Sequence, residues 1–439
     1  MGGGLDAAER ALVERIAGRR EEIVALTREL IAFDTTSRAG IDEPAREEVA
    51  LQQALADRLR AAGAEIDLWE PAPEDVTDHP LSVAGIGFDG RPQLAATFRG
   101  SGGGRSLLLN GHIDVVPAKR EEGWTADPFD AQLVDGNVVG RGACDMKGGI
   151  AAMVVAAEAL AATGGELRGD IVVCTNTDEE SSGVGGLACA RHGVQADFAI
   201  VPEPSSLEVW PACRGTVYCT ITLAGRAGHA EQEHPHWRDG GAVNAIDKGR
   251  FLLDGVDRLR ADWRSRAEFR NHPLLDPPDI VPTRFVADAG WSVTIPNRVE
   301  IDLSVLILPQ QADAQGWTKD AQAEVEGFLR RWCETDSWLV EHPPNFHWYT
   351  EVNPSETPVD ADSVLALRAA NRALGLPDTL GGLGSWYDGA TFALEANTPA
   401  LMYGPRAIDW AHTVDEYVPI EDLVKCAQGI AIAGWRLCR

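Results

Sequence analysis

The sequence predicts an α/β protein, in which a mainly parallel sheet is covered by helices and a smaller α+β, ferredoxin-like domain is inserted. One observation is that short, continuous apolar runs alternate with segments of helical periodicity before residue 212 and after residue 391. Such runs are typical of parallel strands that are buried on both faces. A second observation is that residues 213–349 contain strands of alternating polarity and two helical stretches, which suggests a β-α-β-β-α-β order.

These patterns predict the elements in chain order. In the larger domain we expect strands at 106–109, 170–175, 198–201 and 399–403, and helices at 6–33, 47–62, 148–162, 184–192, after 391 and at 420–436. In the inserted domain we expect strands at 217–223 and 299–306, and helices at 241–259 and 319–333. The predicted boundaries are therefore 1–212 and 350–439 for the larger, discontinuous domain and 213–349 for the inserted one.

The composition excludes several classes of partner. Among 439 residues, 67 are acidic and 39 are basic, which gives a net charge of −28. Nucleic acids and anionic membranes attract clustered Lys and Arg, so we expect neither as a partner. No apolar run reaches the ~18 residues of a membrane span, and the N-terminus lacks a signal-peptide core. The eight cysteines are scattered without a Cys-x-x-Cys pair, as in a reduced cytoplasmic protein.

Five short segments concentrate His, Asp and Glu beside predicted strands and helices. They are Asn110-Gly-His-Ile-Asp114, Gly140-Arg-Gly-Ala-Cys-Asp-Met-Lys147, Asp178-Glu-Glu-Ser-Ser182, Pro202-Glu-Pro204 and Ala411-His-Thr-Val-Asp-Glu416. In an open parallel sheet, ligands bind at the carboxyl ends of the strands. We therefore expect these segments, although distant in sequence, to meet in one crevice.

The residue types in these segments predict a site for two divalent metal ions. The candidate ligands are three carboxylates and two imidazoles, namely His112, Asp145, Glu180, Glu203 and His412. Three carboxylates in contact repel one another strongly, whereas two ions about 3.5–4 Å apart would neutralise them with one carboxylate as a bridge. This donor set suits Zn²⁺, with Co²⁺ or Mn²⁺ as alternatives. Asp114 is placed to accept the second imidazole N–H of His112, and Glu179 is placed to move a proton.

Each of these residues also has an ordinary interpretation when it is taken alone. His112 and His412 could be buried structural histidines, and Asp145 could be a charge in the first turn of a helix. Glu179 and Glu180 could be a solvated acidic pair. The joint position of all five segments at strand ends is what favours a metal site.

The same motifs resemble the M20 metallopeptidase and amidohydrolase family, which includes acetylornithine deacetylase, succinyl-diaminopimelate desuccinylase, aminoacylase-1 and glutamate carboxypeptidase. The resemblance extends from about Arg20 to the end of the chain. It implies that His112 and Glu203 bind one metal ion, that Glu180 and His412 bind the other, and that Asp145 bridges them. It also implies that Glu179 is the general base.

The resemblance further implies that the inserted domain is a lid or dimerisation domain, so that the protein is a homodimer. His229, in Gly225-Arg-Ala-Gly-His229-Ala, resembles the histidine that reaches the substrate carbonyl, from the same subunit or from its partner. Asn244 matches a family pattern on the lid helix, where it contacts substrate or caps a turn.

Departures from the family pattern concern substrate recognition. Arg298 belongs to a lid motif that is present, but Val293 and Ser304-Val-Leu306 replace residues common in the family. Arg406 stands where many members have the second glycine of Gly-Pro-Gly, and it either binds a substrate carboxylate or is a surface residue. Asp388 is a further substrate-binding candidate, because Trp386 beside it suggests an aromatic wall.

The preferred function is metal-dependent hydrolysis of the amide bond of an N-acyl amino acid or a similar small amide. In this hypothesis Glu179 is the base, and Asp114 and His229 assist it. The alternatives are a dipeptidase or carboxypeptidase of the same family, a hydrolase of another C–N bond such as that of an aryl amine, and a binding protein without metal activity. The fold does not distinguish among the enzymatic alternatives.

Overall fold

A computed structural model describes residues 4–439, and its secondary structure follows the apolar patterns of the sequence. The strands are β1 (Glu65–Trp69), β2 (Gln93–Phe98), β3 (Leu107–His112), β4 (Gln132–Val134), β5 (Asn137–Val139), β6 (Ile171–Asn176), β7 (Phe198–Val201), β8 (Val209–Cys213), β9 (Gly215–Ala224), β10 (Gly228–His229), β11 (Asp279–Val286), β12 (Thr294–Ile295), β13 (Arg298–Ile307), β14 (Asn345–Val352), β15 (Ser355–Glu356), β16 (Leu380–Leu383), β17 (Ala400–Met402) and β18 (Tyr417–Pro419). The helices are α1 (Ala7–Ala17), α2 (Arg20–Ala32), α3 (Glu48–Ala61), α4 (Lys147–Ala161), α5 (Val184–His192), α6 (Ala245–Ser265), α7 (Ala267–Arg270), α8 (Lys319–Cys333), α9 (Ser337–Glu341), α10 (Asp362–Leu374), α11 (Asp388–Glu395) and α12 (Ile420–Cys438).

The central sheet has nine strands in the order β1-β2-β6-β3-β7-β17-β8-β15, with β16 beside β8. Its middle four strands, β6, β3, β7 and β17, are parallel to one another. Antiparallel strands flank them on both sides. The prediction of a mainly parallel central sheet is therefore confirmed.

Helices cover both faces of this sheet because successive strand residues point to opposite sides. Leu107 of β3 lies on the side of α4 and α12, close to Leu160 and Gly434. The next residue, Leu108, packs on the other side with Cys189 of α5 and Phe392 of α11. Continuous apolar strands are thus needed here, as the sequence predicted.

The described chain divides into two compact units. The first contains the residues up to Ala212, Ser355–Gly382 and Tyr387–Arg439, and the second contains Cys213–Pro354 and Leu383–Trp386. The predicted boundary at residue 350 falls within β14, which runs to Val352, so the second unit extends beyond it. A helix that could cross a membrane is not found between residues 4 and 439.

The second unit has the order β9-α6-β11-β13-α8-β14 in its main elements. Its antiparallel sheet has the order β11-β13-β9-β14. This is the split β-α-β arrangement that the sequence predicts. The predicted helices at 241–259 and 319–333 correspond to α6 and α8, both of which pack on this sheet or on each other.

Several helix boundaries differ from the sequence-based prediction; α6, for example, spans Ala245–Ser265 where a helix was expected over 241–259. The helix expected over 6–33 is two helices, because α1 ends at Gly18 as its C-cap and α2 starts at Arg20. Gly18 has low helical propensity. Its N–H donates to the carbonyl oxygen of Glu14, and the N–H of Arg19 donates to that of Ile16. The helix expected after residue 391 starts earlier, at Asp388.

The first testable prediction concerns Gly149, which lets α4 pack closely against the segment before Glu203. A Cβ atom at Gly149 would lie 2.1 Å from the carbonyl oxygen of Pro202, so the backbone of α4 or that of Pro202 would have to move. We expect Gly149→Ala to lower the free energy of unfolding by about 1–3 kcal/mol, as overpacking of a core does. Urea denaturation would measure this change.

Gly327→Ala in α8 is the matched control, because its Cβ would meet only the flexible end of Arg331, at 3.3 Å. Replacing a helical glycine by alanine at an open position stabilises by up to about 1 kcal/mol. If Gly149→Ala were as stable as the wild type, the close packing of α4 on Pro202 would be refuted.

Candidate active site

Three neighbouring parallel strands deliver the first group of candidate residues to one edge of the sheet. His112 is the last residue of β3, and Glu203 follows β7 by two residues. Glu179 and Glu180 follow β6 by three and four residues. Because β6, β3 and β7 are adjacent and parallel, their carboxyl ends bring these side chains together.

Asp145 enters the site from the turn that precedes α4, and a buried glutamate fixes this turn. Glu416 Oε1 accepts hydrogen bonds from the backbone N–H groups of Cys144 and Asp145, at 2.8 and 3.0 Å. The guanidinium of Arg141 forms an ion pair with the same carboxylate. Glu416 and Arg141 lie in the predicted motifs, but sequence reasoning gave them no role, since their pairing joins residues 275 positions apart.

The candidate ligands form two groups that share Asp145. His112 Nε2 lies 3.1 Å from Asp145 Oδ1 and 3.3 Å from Glu203 Oε1. His412 Nε2 lies 3.3 Å from Asp145 Oδ2 and 3.1 Å from Glu180 Oε2. Within each group, one ligand atom per residue lies within 4.8 Å of the others. The two oxygen atoms of Asp145 thus face different groups, which is the arrangement of a bridging carboxylate.

The charges of this cluster fit divalent cations. Between residues 4 and 439, the ion-pair partners of Asp145, Glu180 and Glu203 are the two histidines, and no lysine or arginine of this part of the chain pairs with them. Burial and the neighbouring Asp145 raise the pKa of Glu203 to about 8. Burial and Asp145 also raise the pKa of Glu180. Buried carboxylates of this kind ionise together when cations lie among them.

The same carboxylates raise the pKa values of the two histidines. Hydrogen bonds to Asp145 and Glu180 raise the pKa of His412 to about 10. Burial opposes the charging of His112, but the carboxylates of Glu203 and Asp145 outweigh it and raise the pKa of His112 well above its ordinary value. Burial also opposes ionisation of Asp145, and bonds from both histidines lower its pKa nonetheless. Cations at this position would replace these protons.

Glu179 lies beside the two ligand groups, and Asp114 fixes its backbone. The two carboxylate oxygens of Asp114 accept the backbone N–H groups of Glu179 and Glu180, at 3.2 and 3.1 Å. Ser37 Oγ donates a third hydrogen bond to Asp114, at 2.7 Å. Burial raises the pKa of Glu179 well above its ordinary value, and Glu203 raises it further. A carboxyl group in such surroundings can accept and donate a proton near neutral pH.

The contact between His112 and Asp114 differs from the one expected from the sequence. His112 Nδ1 lies 2.9 Å from the backbone carbonyl oxygen of Asp114 and 3.7 Å from its carboxylate Oδ1. The carbonyl therefore fixes the orientation of the imidazole. The Asp114 carboxylate instead holds the turn that carries Glu179.

Sequence reasoning missed the buried ion pair that supports this turn. Arg38 donates two hydrogen bonds to Asp178, from Nε at 2.7 Å and from Nη2 at 2.6 Å. Both side chains are nearly inaccessible, at 3% and 2% exposure. Asp178 has a φ angle of +65°, a strained conformation that its surroundings must hold. The position of Asp178 next to Glu179 could have indicated a supporting role for Asp178. A single sequence, however, does not show that Arg38 is its partner.

Two of the predicted substrate-binding residues, Asp388 and Arg406, lie in the first unit, where they contact other side chains. Asp388 is the first residue of α11, is 1% exposed, and accepts a hydrogen bond from Asn176 Nδ2. This bond joins Asp388 to Asn176 at the end of β6, and the role of Asp388 in substrate binding stays a prediction. The guanidinium of Arg406 lies against the rings of Trp410 and Tyr417, which also contact each other edge to face.

The other three candidates lie in the second unit, where their roles stay predictions. His229 is exposed in β10, and its carbonyl oxygen lies 2.9 Å from His234 Nε2. Asn244 caps α6 by accepting the N–H of Ile246 at 3.0 Å. Arg298 is exposed and pairs with Glu300.

A comparison with family models matches residues 108–433 to Peptidase family M20/M25/M40. This match includes all five candidate ligands and Glu179. The chain belongs to this family. The prediction of a metal-dependent amide hydrolase is thereby confirmed at the level of the enzyme class.

Two curated relatives match almost the whole chain. An N-formyl-4-amino-5-aminomethyl-2-methylpyrimidine deformylase of Halalkalibacterium halodurans is 27% identical over 94% of this chain and 94% of its own. A succinyl-diaminopimelate desuccinylase of Xanthomonas euvesicatoria pv. vesicatoria is 29% identical over 92% of this chain and 95% of its own. Both names describe the removal of an acyl group from an amine.

Solved structures support the same fold. The YXEP protein of Bacillus subtilis, described as a dinuclear metal-binding peptidase of the M20 family, superimposes with a TM-score of 0.66. The match covers 96% of this chain and 99% of that one, at 15% sequence identity. This likeness concerns the fold.

The second testable prediction concerns Asp145. If its carboxylate serves both ligand groups, Asp145→Asn should weaken the binding of both metal ions. We expect an effect larger than the roughly 10–100-fold that loss of an outer hydrogen-bond partner causes. Metal analysis after equilibrium dialysis against Zn²⁺ would give the number bound per chain.

The control for this experiment is Asp409→Asn, since Asp409 is an exposed acidic residue of the segment that leads to His412. It should bind metal as the wild type does. Selective loss of one ion in Asp145→Asn would contradict a bridging role.

Proposed function

We propose that the protein removes an acyl group from a small N-acyl amine by hydrolysis, with two divalent metal ions, most readily Zn²⁺. The observation that carries this proposal is that Asp145 Oδ1 faces His112, which also contacts Glu203, whereas Asp145 Oδ2 faces His412, which also contacts Glu180. Imidazole and carboxylate ligands are those that Zn²⁺ takes in hydrolases. When bound, such ions supply Lewis-acid activation of water and of the amide carbonyl group.

Glu179 performs the proton transfers in this proposal. Its carboxylate accepts a proton from the attacking water and later delivers that proton to the amine that leaves. The turn that carries Glu179 is held by Asp114 through two backbone N–H groups and by Arg38 through Asp178. A base held in this way does not need to be oriented anew in each turnover.

The choice of deacylation over peptide hydrolysis rests on the curated relatives. The two reported above, which match over 92% of this chain or more, are named for deformylation and desuccinylation. The solved peptidase is only 15% identical and supports the fold alone. We therefore propose a formyl- or acyl-amine substrate and treat dipeptides as the competing class.

The third testable prediction separates proton transfer from metal binding. Glu179→Gln keeps the size of the side chain but cannot accept the proton, so kcat should fall by about 10²–10⁴-fold or more. The variant should still bind as many metal ions per chain as the wild type. Steady-state kinetics together with metal analysis would measure both quantities.

Glu74→Gln, at an exposed glutamate of the same unit, is the control and should leave kcat and metal content unchanged. A near-normal kcat in Glu179→Gln would exclude Glu179 as the base. Loss of metal in that variant would assign Glu179 to the ligands instead.

The fourth testable prediction concerns the substrate class. The Zn²⁺-loaded enzyme should hydrolyse N-formyl or other N-acyl derivatives of small amines with a kcat/KM at least tenfold above that for dipeptides. The panel should include N-formyl, N-acetyl and N-succinyl amines, dipeptides and an aryl amine, each also with Co²⁺ and Mn²⁺. Preference for dipeptides, or for the aryl C–N bond, would overturn the proposed class.

A further inference from the structure

The two candidate metal-binding histidines are held in different ways. His112 ends a strand in the middle of the sheet, and its side chain is 1% exposed. His412 lies in an irregular segment after β17, which we name the His412 loop (residues 403–412), and its side chain is 51% exposed. Burial thus fixes His112, whereas another interaction must fix His412.

The start of the His412 loop is attached to the segment that follows Glu203. Ser206 donates its N–H to the carbonyl oxygen of Arg406 at 2.6 Å, and Leu207 donates to that of Gly404 at 2.9 Å. Beyond Arg406, a short 3₁₀ turn at Ile408–Trp410 leads to His412. This backbone pairing reaches Ala407. In the turn beyond it, Thr413 Oγ1 donates to the carbonyl oxygen of Trp410 at 2.8 Å.

Arg406 reaches that turn with its side chain. Its guanidinium carbon lies 4.4 Å from the ring centre of Trp410 and 4.2 Å from that of Tyr417. Arg406 Nη2 also donates a hydrogen bond to the hydroxyl of Tyr417. The planar guanidinium can stack on aromatic rings and donate in its own plane at the same time. Trp410, two residues before His412, and Tyr417, five residues after it, also contact each other, with ring centres 4.9 Å apart, so the three side chains form one cluster.

The backbone of Arg406 shows that this side chain is retained at a conformational cost. Its φ angle is +63°, in the left-handed region that glycine adopts without strain and other residues rarely adopt. A strained residue of this kind persists where the surrounding structure holds it, and such residues cluster at functional sites. A glycine would satisfy the backbone here, so the side chain must supply something else.

We propose that Arg406 is a positioning residue for His412. The clasp formed by Arg406, Trp410 and Tyr417 holds the imidazole of His412 against Glu180 and Asp145, and thereby sets the affinity of the second metal position. The inference rests on the proposed two-metal site. It replaces the expectation that Arg406 binds a substrate carboxylate.

The test, which is the fifth prediction, is a Zn²⁺ titration of the metal-free protein against a competing chelator, which gives two stepwise affinities. Arg406→Met should weaken one of the two steps by about 10–100-fold, as loss of a group that orients a ligand does. The other step should change by less than about threefold. Arg406→Lys, which keeps the charge but not the plane of the guanidinium, should recover part of the loss.

Two further variants keep the test decisive. Trp410→Leu removes the other side of the clasp and should weaken the same step, and the double variant should be no worse than the poorer single one. Arg439→Ala is the control, because Arg439 directly follows α12, a helix without a candidate ligand, and lies over the ring of Trp435 at 5.6 Å. It should leave both steps unchanged.

The remaining outcomes overturn the proposal. Unchanged metal affinities with a higher KM for carboxylate-bearing substrates would assign Arg406 to substrate binding. Equal weakening of both steps with a lower unfolding temperature would show a general structural role. A wild-type protein that binds fewer than two Zn²⁺ ions would refute the two-metal function itself, whereas unchanged affinities in a two-metal protein would refute only the role of Arg406.

Discussion

The repulsion among buried carboxylates is the constraint on which the candidate site depends. Asp145, Glu180 and Glu203 lie with Glu179 in one crevice, and burial by itself opposes the ionisation of each. The imidazoles of His112 and His412 neutralise part of this negative charge, and both of them pair with Asp145. Because the ligand atoms converge in two groups around one carboxylate, a pair of divalent cations is the simplest arrangement that lets all of the carboxylates ionise.

The fold must also hold the negatively charged carboxylates of the site close together. The parallel strands β3, β6 and β7 end at the same edge of the sheet and supply rigid starting points. Backbone N–H groups and buried ion pairs then fix the turns that follow. Asp114 holds the turn of Glu179 and Glu180, and Glu416 holds the turn of Asp145. Each of these holding carboxylates has its charge engaged by N–H or O–H donors, so it does not compete for the cations.

The sequence predicted which candidate ligands lie close together but not the groups that hold them, for a physical reason. Apolar runs reveal buried strands, and the order of strands and helices reveals which strand ends meet. The sequence alone therefore places His112 and Glu203 together. By contrast, Arg38, the partner of Asp178, lies 140 residues away from it in the sequence. Glu416, which holds the Asp145 turn, lies about 270 residues away from that turn. Local periodicity carries no information about such contacts. The break at Gly18 was missed because apolar residues keep nearly the same period in α1 and α2.

The two proposed metal positions are unequal in their surroundings, and this inequality follows from the topology. His112 and Glu203 both come from central strands and are nearly inaccessible, with 1% and 6% of their side chains exposed. His412 comes from a loop, and half of its side chain is exposed. Desolvated ligands on rigid elements lose little freedom when a cation binds, whereas an exposed loop ligand must be ordered. The position formed by His112 should therefore bind first, and the position formed by His412 should respond more strongly to changes in its loop. In the proposed role of Arg406, a residue outside the ligand set adjusts the position formed by His412 without disturbing the position formed by His112.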